Sequence, residues 1–375
     1  MNKLRILQIV GDPVGGIRKH VHDILLGLKD DFDLCYISSG NGDKTYHKEI
    51  DQIRSNIIFH QALNINKRPS FSDLVNIIKI YRFIRANDID IVHGHGAKGG
   101  LYARICGKLA GCKIVYTPHG GVVHNMFGKY EDILYKTIER FLCNYTDLLI
   151  FESKYTEKSF QSKFGCSKSE HVVNYNGVQP PSKNQIAVDL NHNESLPVKL
   201  GVFAMLRQEK GQILALRAVT SLIKQGHNIQ LHFYGEGSLK EALTKEVGES
   251  GLDNNIIFHG EVDDVYSNMY TVDFVLIPSL FESFGYVAVE SIFANKPIIS
   301  SNTGGLIEIV DENSAFMFES ANQSSLEKAI INAINSIPES ILKKKQNAFT
   351  KAHTLFEIER MLGQLKLYYF ELYDN

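Results

Sequence analysis

The 375-residue chain lacks any apolar run long enough to cross a bilayer: stretches such as Phe274–Pro278 fall far short of the roughly 18 to 20 residues a spanning helix needs. Its opening residues, MNKLRILQIVGD, place charges where a signal peptide would carry its apolar stretch. The sequence therefore predicts neither export by that route nor membrane insertion, and a cytoplasmic protein is expected. Cysteine is scarce and unpatterned. Cys35, Cys106, Cys112, Cys143 and Cys166 form an odd set with no CxxC, which argues against a disulfide framework and a zinc site and predicts reduced thiols. There is no Lys/Arg run, no finger spacing and no basic stripe interleaved with aromatics, so nucleic acid is not an expected partner. Short-period repeats and low-complexity tracts are absent as well.

What is present suits a folded, two-domain protein. The length divides into about two domains of ordinary size, and 44% hydrophobic with 22% charged residues is a globular composition. Charge is uneven along the chain. Residues 1–180 hold 24 Lys and Arg against 18 Asp and Glu, and residues 181–375 hold 16 against 24. A basic first half fits contact with a phosphate-bearing substrate or with anionic headgroups at the inner face of a membrane, and it also fits simple unevenness of surface charge.

Short β-branched apolar runs alternate with helical patterns from end to end, the signature of parallel sheets with crossover helices. In the first half the runs at 4–10, 32–38, 56–63, 89–95, 113–119, 147–153 and 171–178 read as strands. In the second, those at 199–206, 228–235, 255–262, 273–279, 297–302 and 314–319 do. Between them, 70–88 reads as a helix capped by Ser72 with 74, 77, 78, 81 and 84 on its apolar face. The Pro- and Asn-rich segment after Val178 reads as a linker, and a helical stretch over 339–373 is expected to break near His353.

Three turns carry chemistry. Gly15 and Gly16 precede a helix whose N-terminus suits a phosphate, although the spacing is not the dinucleotide fingerprint GxGxxG. In LRQEKG, Arg207 and Lys210 lie three apart in a turn entering a helix and can converge on one anion. In IPSLFESFGYVAVESIF, Glu282 follows a strand, Gly285 permits the turn and Glu290 sits on the next helix, a placement suited to sugar hydroxyls. Taken as pairs in sequence, His20 with His22 and His93 with His95 do not make a metal site: the first two face different sides of a helix and the second two lack a neighbouring carboxylate or thiolate. His93 reads as a core histidine and His95, at a strand end, as an acceptor-side or sugar-contacting residue.

Together, ESFGYVAVE with its Glu-x7-Glu pair, TGGLIE, LRQEKG, YGEGS, FHGEV, the GGI loop, TPHGG and YNGV resemble glycosyltransferase family 4, in the capsule, O-antigen and exopolysaccharide branch. The resemblance implies the glycosyltransferase B (GT-B) fold: an α/β chain of two Rossmann-like domains facing across a cleft. Their implied bounds are 1–180 for an acceptor-binding domain, joined by a C-terminal helix at about 355–375, and 181–354 for a donor-binding domain. It implies a retaining enzyme of hexosyl or N-acetylhexosaminyl type, taking a nucleotide-sugar, a UDP-sugar ahead of a GDP-sugar. The implied acceptor is a glycan, lipid-linked on a polyprenyl diphosphate, with peripheral contact at the inner face of the cytoplasmic membrane. Neither cofactor nor metal is implied, and no DxD occurs in a suitable turn.

Position by position, Arg207 and Lys210 would neutralise the diphosphate, Glu290 would take the ribose, and Glu282 with the amides of Phe284 and Gly285 would hold the transferred sugar. Gly235, Gly237, Gly260 and Val262 would line diphosphate and base, Gly15 and Gly16 would approach the diphosphate, and His119 would face the sugar. His95, Phe127 and Lys129 fall on the acceptor side. One departure stands out: Met205 occupies a place where members often have Arg. Rival readings are a non-catalytic sugar-nucleotide-binding subunit and a GT-B-type epimerase.

Overall fold

The alternation of apolar runs and helical patterns folds into two parallel sheets in two compact units. A computed structural model describes residues 3–66, 68–120, 129–166, 169–181 and 196–374. The first unit, Met1–Gly177 with Ile358–Asn375, contains strands β1 (Arg5–Val10), β2 (Asp33–Ser39), β3 (Phe59–Leu63), β4 (Ile91–His95), β5 (Lys113–Thr117), β6 (Leu148–Phe151) and β7 (Glu170–Val173). They are ordered β3-β2-β1-β4-β5-β6-β7. Helices α1 (Gly15–Gly27), α2 (Lys44–Asn56), α3 (Phe71–Ala86), α4 (Gly96–Ala110), α5 (Lys129–Cys143) and α6 (Lys154–Phe164) connect them.

The second unit, Val178–Glu357, holds β8 (Val198–Phe203), β9 (Ile229–Tyr234), β10 (Ile256–Gly260), β11 (Phe274–Ile277), β12 (Ile298–Ser301) and β13 (Phe316–Phe318), in the order β10-β9-β8-β11-β12-β13. Its helices are α7 (Gln212–Lys224), α8 (Lys240–Ser250), α9 (Val265–Met269), α10 (Tyr286–Phe293), α11 (Leu306–Ile309), α12 (Gln323–Ile334) and α13 (Pro338–Leu355). The last helix, α14 (Ile358–Asp374), is built into the first unit. The break between α13 and α14 falls at Phe356 and Glu357, just past the expected His353.

Alternation along the strands divides each core into layers. In β1, Ile6 and Val10 pack under α1, α2 and α14, where Met361, Leu365 and Tyr369 are buried, while Leu7 and Ile9 face Ile80, Ile84, Tyr102 and Ala103 of α3 and α4. The strand order reverses between β1 and β4 and again between β8 and β11. At such a switch point the loops leaving neighbouring strands run to opposite faces and leave a crevice at the strands' C-terminal ends, where open α/β sheets take ligands.

Three local readings need correction. Ser70 rather than Ser72 caps α3, because Asp73 closes a capping box by accepting the Ser70 amide at 2.8 Å. The buried face of α3 is accordingly Asn76, Ile80 and Ile84, and Leu74 and Ile78 are exposed. Cys143 and Cys166, expected as reduced thiols, form a disulfide. Their Cα atoms lie 5.7 Å apart although 23 residues separate them, and both are buried beside Phe160 and Phe164. Most of the expected linker, 182–195, lies outside the described residues.

Inside the first unit Arg104 is fully buried (0% exposed). It grips Glu139 through two bonds of 2.7 and 3.0 Å, donates to the Gly100 carbonyl at 2.9 Å and lies 4.0 Å over the Tyr116 ring. Removing one partner strands a buried charge, which costs far more than removing both. Glu139→Ala is expected to destabilise by about 3–5 kcal/mol, and the pair Arg104→Met with Glu139→Leu by much less. Urea unfolding of the single and double variants checks this, and equal losses would contradict it.

Candidate active site

In the second unit the switch point collects three loops. After β8, Arg207 precedes a single 3-10 turn, Gln208–Lys210, that enters α7 through Gly211. After β11, Glu282 and Phe284 lead into α10, with Gly285 in the left-handed region at its start (φ 115°). After β12, Thr303, Gly304 and Gly305 lead into α11. The Leu280 amide donates to the Glu209 carbonyl at 2.8 Å and the Gly305 amide to the Glu282 carbonyl at 2.9 Å, so the loops are stitched to each other through backbone.

That stitching brings two of the sequence-derived residues into contact: Lys210 Nζ donates to Glu282 Oε2 at 2.7 Å, and Ser279 Oγ reaches the same oxygen at 3.4 Å. Arg207, half-buried, makes no side-chain hydrogen bond or ion pair with the described residues, which leaves its guanidinium able to receive an anion. Glu290, half-buried on α10, lies near Tyr266, whose hydroxyl burial pushes upward, with the Glu290 charge adding to the shift. Phe284 is buried against Tyr286 and Phe356.

The remaining expected residues lie on the neighbouring strand ends. The Gly235 amide donates to the Gly260 carbonyl at 2.7 Å, and the Leu206 amide to the Glu236 carbonyl at 3.0 Å, which ties the loops after β8, β9 and β10 together. A Cβ on Gly237 would meet the Leu206 carbonyl at 2.4 Å. Val262 is half-buried just after β10. Met205 offers only its carbonyl, which accepts from Gln212 at 2.9 Å.

In the first unit the corresponding reversal places α1 beside the end of β4. Gly16 is exposed at the start of α1, whereas the Gly15 amide is already taken by the Asp43 carboxylate at 2.9 Å. Asp43 also caps α2 through the Tyr46 amide at 2.8 Å. His119, which follows β5 in the left-handed region (φ 53°), donates from Nδ1 to Glu152 Oε2 at 3.1 Å, and its Nε2 faces Nδ1 of His95 at 3.3 Å. His95, expected on the acceptor side, is buried, and its Nε2 donates to Gln8 Oε1 at 2.7 Å. His93 is a satisfied core histidine, bonded to the Tyr369 hydroxyl at 2.7 Å and to Thr117 Oγ1 at 2.9 Å.

Sequence reasoning missed Glu152 and Asn176, whose amide reaches the same carboxylate oxygen at 2.9 Å, and it missed the place of His20. Burial pushes the Glu152 carboxyl up, but His119, Asn176 and His20 outweigh it and hold it below the usual carboxylate range. The available signal for Glu152 was its position at the C-terminal end of β6, where these sheets place functional groups. By type and spacing, His20, His95 and His119 could hold a metal ion. Phe127 lies outside the described residues, and Lys129 is placed only as the first residue of α5.

The loop packing around Glu282 depends on glycine at 304, where φ is 55° and a Cβ would lie 1.9 Å from the Glu282 carbonyl oxygen. Gly304→Ala should cost about 2 kcal/mol or more through strain and displacement of that carbonyl. Gly248→Ala, in α8 with nothing near its Cβ, is the control and should be neutral or stabilising by up to about 1 kcal/mol. Equal effects in urea unfolding would contradict the packing argument.

Comparison with known proteins adds identity to this geometry. Residues 14–180 match the model of Glycosyltransferase Family 4, and residues 184–353 match that of Glycosyl transferases group 1. The O-antigen biosynthesis glycosyltransferase WbnH of Escherichia coli is 26% identical over 302 residues, covering 80% of this chain and 81% of its own. A UDP-Gal:alpha-D-GlcNAc-diphosphoundecaprenol alpha-1,3-galactosyltransferase of the same species is 23% identical over 390 residues, covering 100% and 98%. Among solved structures, Anabaena Alr3699/HepE in complex with UDP superposes with a TM-score of 0.79 at 20% identity, covering 98% of this chain and 100% of that one. With one model filling each unit, the chain belongs to the glycosyltransferases of family 4, built as two Rossmann-like domains in the GT-B fold.

Proposed function

We propose that the protein is a retaining glycosyltransferase that moves a hexosyl or N-acetylhexosaminyl group from a nucleotide-sugar, a UDP-sugar ahead of a GDP-sugar, to a lipid-linked glycan in cell-surface polysaccharide biosynthesis. The observation that carries the reading is the pairing of Lys210 with Glu282 at 2.7 Å beside the unengaged guanidinium of Arg207, at the switch point of the second sheet. The relatives named for O-antigen synthesis and for a diphosphoundecaprenol-linked acceptor support the pathway and the acceptor class.

In this reading Arg207 and Lys210 meet the donor diphosphate, which gains charge as the anomeric carbon–oxygen bond breaks and the carbon becomes oxocarbenium-like. Cations already in place lower that barrier without reorganising, and no metal is required. Glu282 orients Lys210 and, with the amides of Phe284 and Gly285, holds the transferred sugar; Glu290 takes the ribose hydroxyls. Gly235, Gly237, Gly260 and Val262 line the diphosphate and base. From the first unit, Gly16 is assigned to the diphosphate and His119 to the sugar. The acceptor oxygen bonds to the anomeric carbon on the face the phosphate leaves, and its proton passes to the departing phosphate oxygen, so Glu282 is not a covalent nucleophile.

An acceptor on a polyprenyl diphosphate resides at a membrane, and α3 offers a surface for peripheral contact there. Phe71 (96% exposed), Leu74 (62%), Val75 (50%) and Ile78 (44%) share one stripe of the helix. The exposed Arg82 and Arg85 continue that stripe, Lys79 flanks it, and Asp73, the one acid of the helix, is held by Lys98 at 2.6 Å. An apolar stripe running into cations suits an interfacial helix on anionic lipid.

Kinetics and vesicle binding test this reading. Lys210→Ala should lower turnover by about 30- to 1000-fold, the 2–4 kcal/mol of one transition-state donor, while Glu290→Ala should mainly weaken donor binding. Unchanged turnover in Lys210→Ala would contradict its role. The full chain should sediment with phosphatidylglycerol vesicles and not with phosphatidylcholine alone, and Phe71→Gln with Leu74→Gln should abolish that. Binding equal to wild type in the paired variant would remove α3 from the reading.

A further inference from the structure

Three imidazoles drawn from three separate elements meet inside the first unit: His20 from α1, His95 from the end of β4 and His119 from the loop after β5. One ring nitrogen of each lies within 4.8 Å of the others, and the ring centroids are 5.3, 5.6 and 5.6 Å apart. All three side chains are buried, with His20 and His119 each retaining 4% exposure. Two of the rings already have their orientation and tautomer set from outside. Gln8 donates its amide to the Tyr369 hydroxyl at 3.0 Å, so its oxygen accepts, and His95 carries its proton on Nε2. Glu152 Oε2 accepts from Nδ1 of His119 at 3.1 Å. The inner nitrogens, Nδ1 of His95 and Nε2 of His119, therefore face each other at 3.3 Å, with a lone pair on Nδ1 of His95. On the third ring, Nδ1 of His20 is buried with no hydrogen-bond partner among the described residues, and Asn176 also stands against this ring.

We infer that His20, His95 and His119 form a binding site for a divalent transition metal of the zinc class. Nitrogen ligands about 2.0–2.1 Å from a tetrahedral ion stand about 3.3 Å from each other, which is the spacing of the His95 and His119 nitrogens, and three neutral imidazoles with one open position are a known zinc donor set. Glu152 on the outer nitrogen of His119, itself fixed by Asn176, and Gln8 on that of His95 supply the supporting partners that metal-bound histidines require. The set is all nitrogen, which favours zinc, nickel, cobalt and copper over magnesium or calcium. His20 and His22 both lie on α1 but only His20 joins the group; His22 packs against Tyr36 and Tyr46, with Nδ1 on Glu49 at 2.7 Å.

The site has a consequence for the proposed reaction, and this part rests on the reading that His119 faces the transferred sugar. A metal ion on Nε2 of His119 removes that nitrogen from the sugar, so zinc inhibits a transfer that itself needs no metal. Inhibition by binding at His119 is thereby separable from the Arg207, Lys210 and Glu282 machinery of the second unit.

The test uses the full chain, stripped of metal by chelation and dialysis. Zinc uptake is measured by equilibrium dialysis with elemental analysis, and cobalt is used as a spectroscopic probe. One ion per chain is expected, with the visible absorption of tetrahedral cobalt and an X-ray absorption shell of nitrogen and oxygen scatterers that includes imidazole. His20→Asn should weaken zinc binding at least tenfold, and circular dichroism establishes that this variant is folded; the wild-type cobalt and X-ray spectra stand without it. Absence of uptake, a sulfur-containing shell, or undiminished binding in folded His20→Asn would overturn the site. Transfer activity that falls with zinc, recovers with EDTA and resists zinc in His20→Asn is expected, and binding without inhibition would overturn the regulatory role. A protein that binds zinc and transfers no sugar under any condition would instead contradict the transferase reading and leave the metal site standing.

Discussion

The loops that carry Lys210 and Glu282 touch through backbone, and glycine makes the contact possible. At Gly211 a Cβ would lie 1.9 Å from the Pro278 carbonyl oxygen, and at Gly304 another would lie 1.9 Å from that of Glu282. With hydrogen in place of methyl, the loops after β8, β11 and β12 close on each other, and the ammonium and carboxylate meet with little freedom left to lose. In the proposed reaction a cation held in that way keeps its direction when the donor diphosphate arrives, which is the condition for electrostatic stabilisation of a charge that develops only during the reaction. The site is thus a consequence of close loop packing at a strand-order reversal, and the charged side chains are its occupants rather than its cause.

The first unit uses the same topology for a different purpose. Its reversal between β1 and β4 gathers buried imidazoles where the second unit gathers charged side chains. Burial, with His119 next, pushes His20 down to about 3, and burial with neighbouring imidazoles lowers His93 and His95 well below the ordinary histidine value. Glu152 is held below the usual carboxylate range inside this cluster, because its partners His119, Asn176 and His20 stabilise its charge. The helix α14 takes part directly, since the Tyr369 hydroxyl joins Gln8 and His93 from the far end of the sequence.

Each of the 13 segments read as strands from apolar β-branched runs is a strand, because a parallel sheet buried on both faces demands just such runs. The turns at Arg207, Lys210, Glu282 and Gly285 were legible for a related reason: a strand end followed by glycine and charge marks a strand-to-helix turn locally. What escaped was whatever depends on residues distant in sequence. Glu152 looked like the tail of an apolar strand, and Cys143 and Cys166 had no motif because α5 and α6 alone bring them together. His20 and His95 were judged with their sequence neighbours, whereas packing of α1 on the sheet pairs them with His119. Apolar spacing alone does not reveal which face of α3 is buried: the helix starts at Ser70 and buries Asn76, Ile80 and Ile84, leaving Phe71, Leu74, Val75 and Ile78 in solvent.

The central claim is that the switch point of the second sheet is a donor site that works through side-chain cations. Titration calorimetry of the full chain with UDP- and GDP-sugars in EDTA, repeated with Arg207→Ala, tests it most directly. The account predicts that one nucleotide class binds without metal and that Arg207→Ala loses most of that affinity. Absence of binding to every nucleotide-sugar, or binding that Arg207→Ala leaves intact, would contradict it.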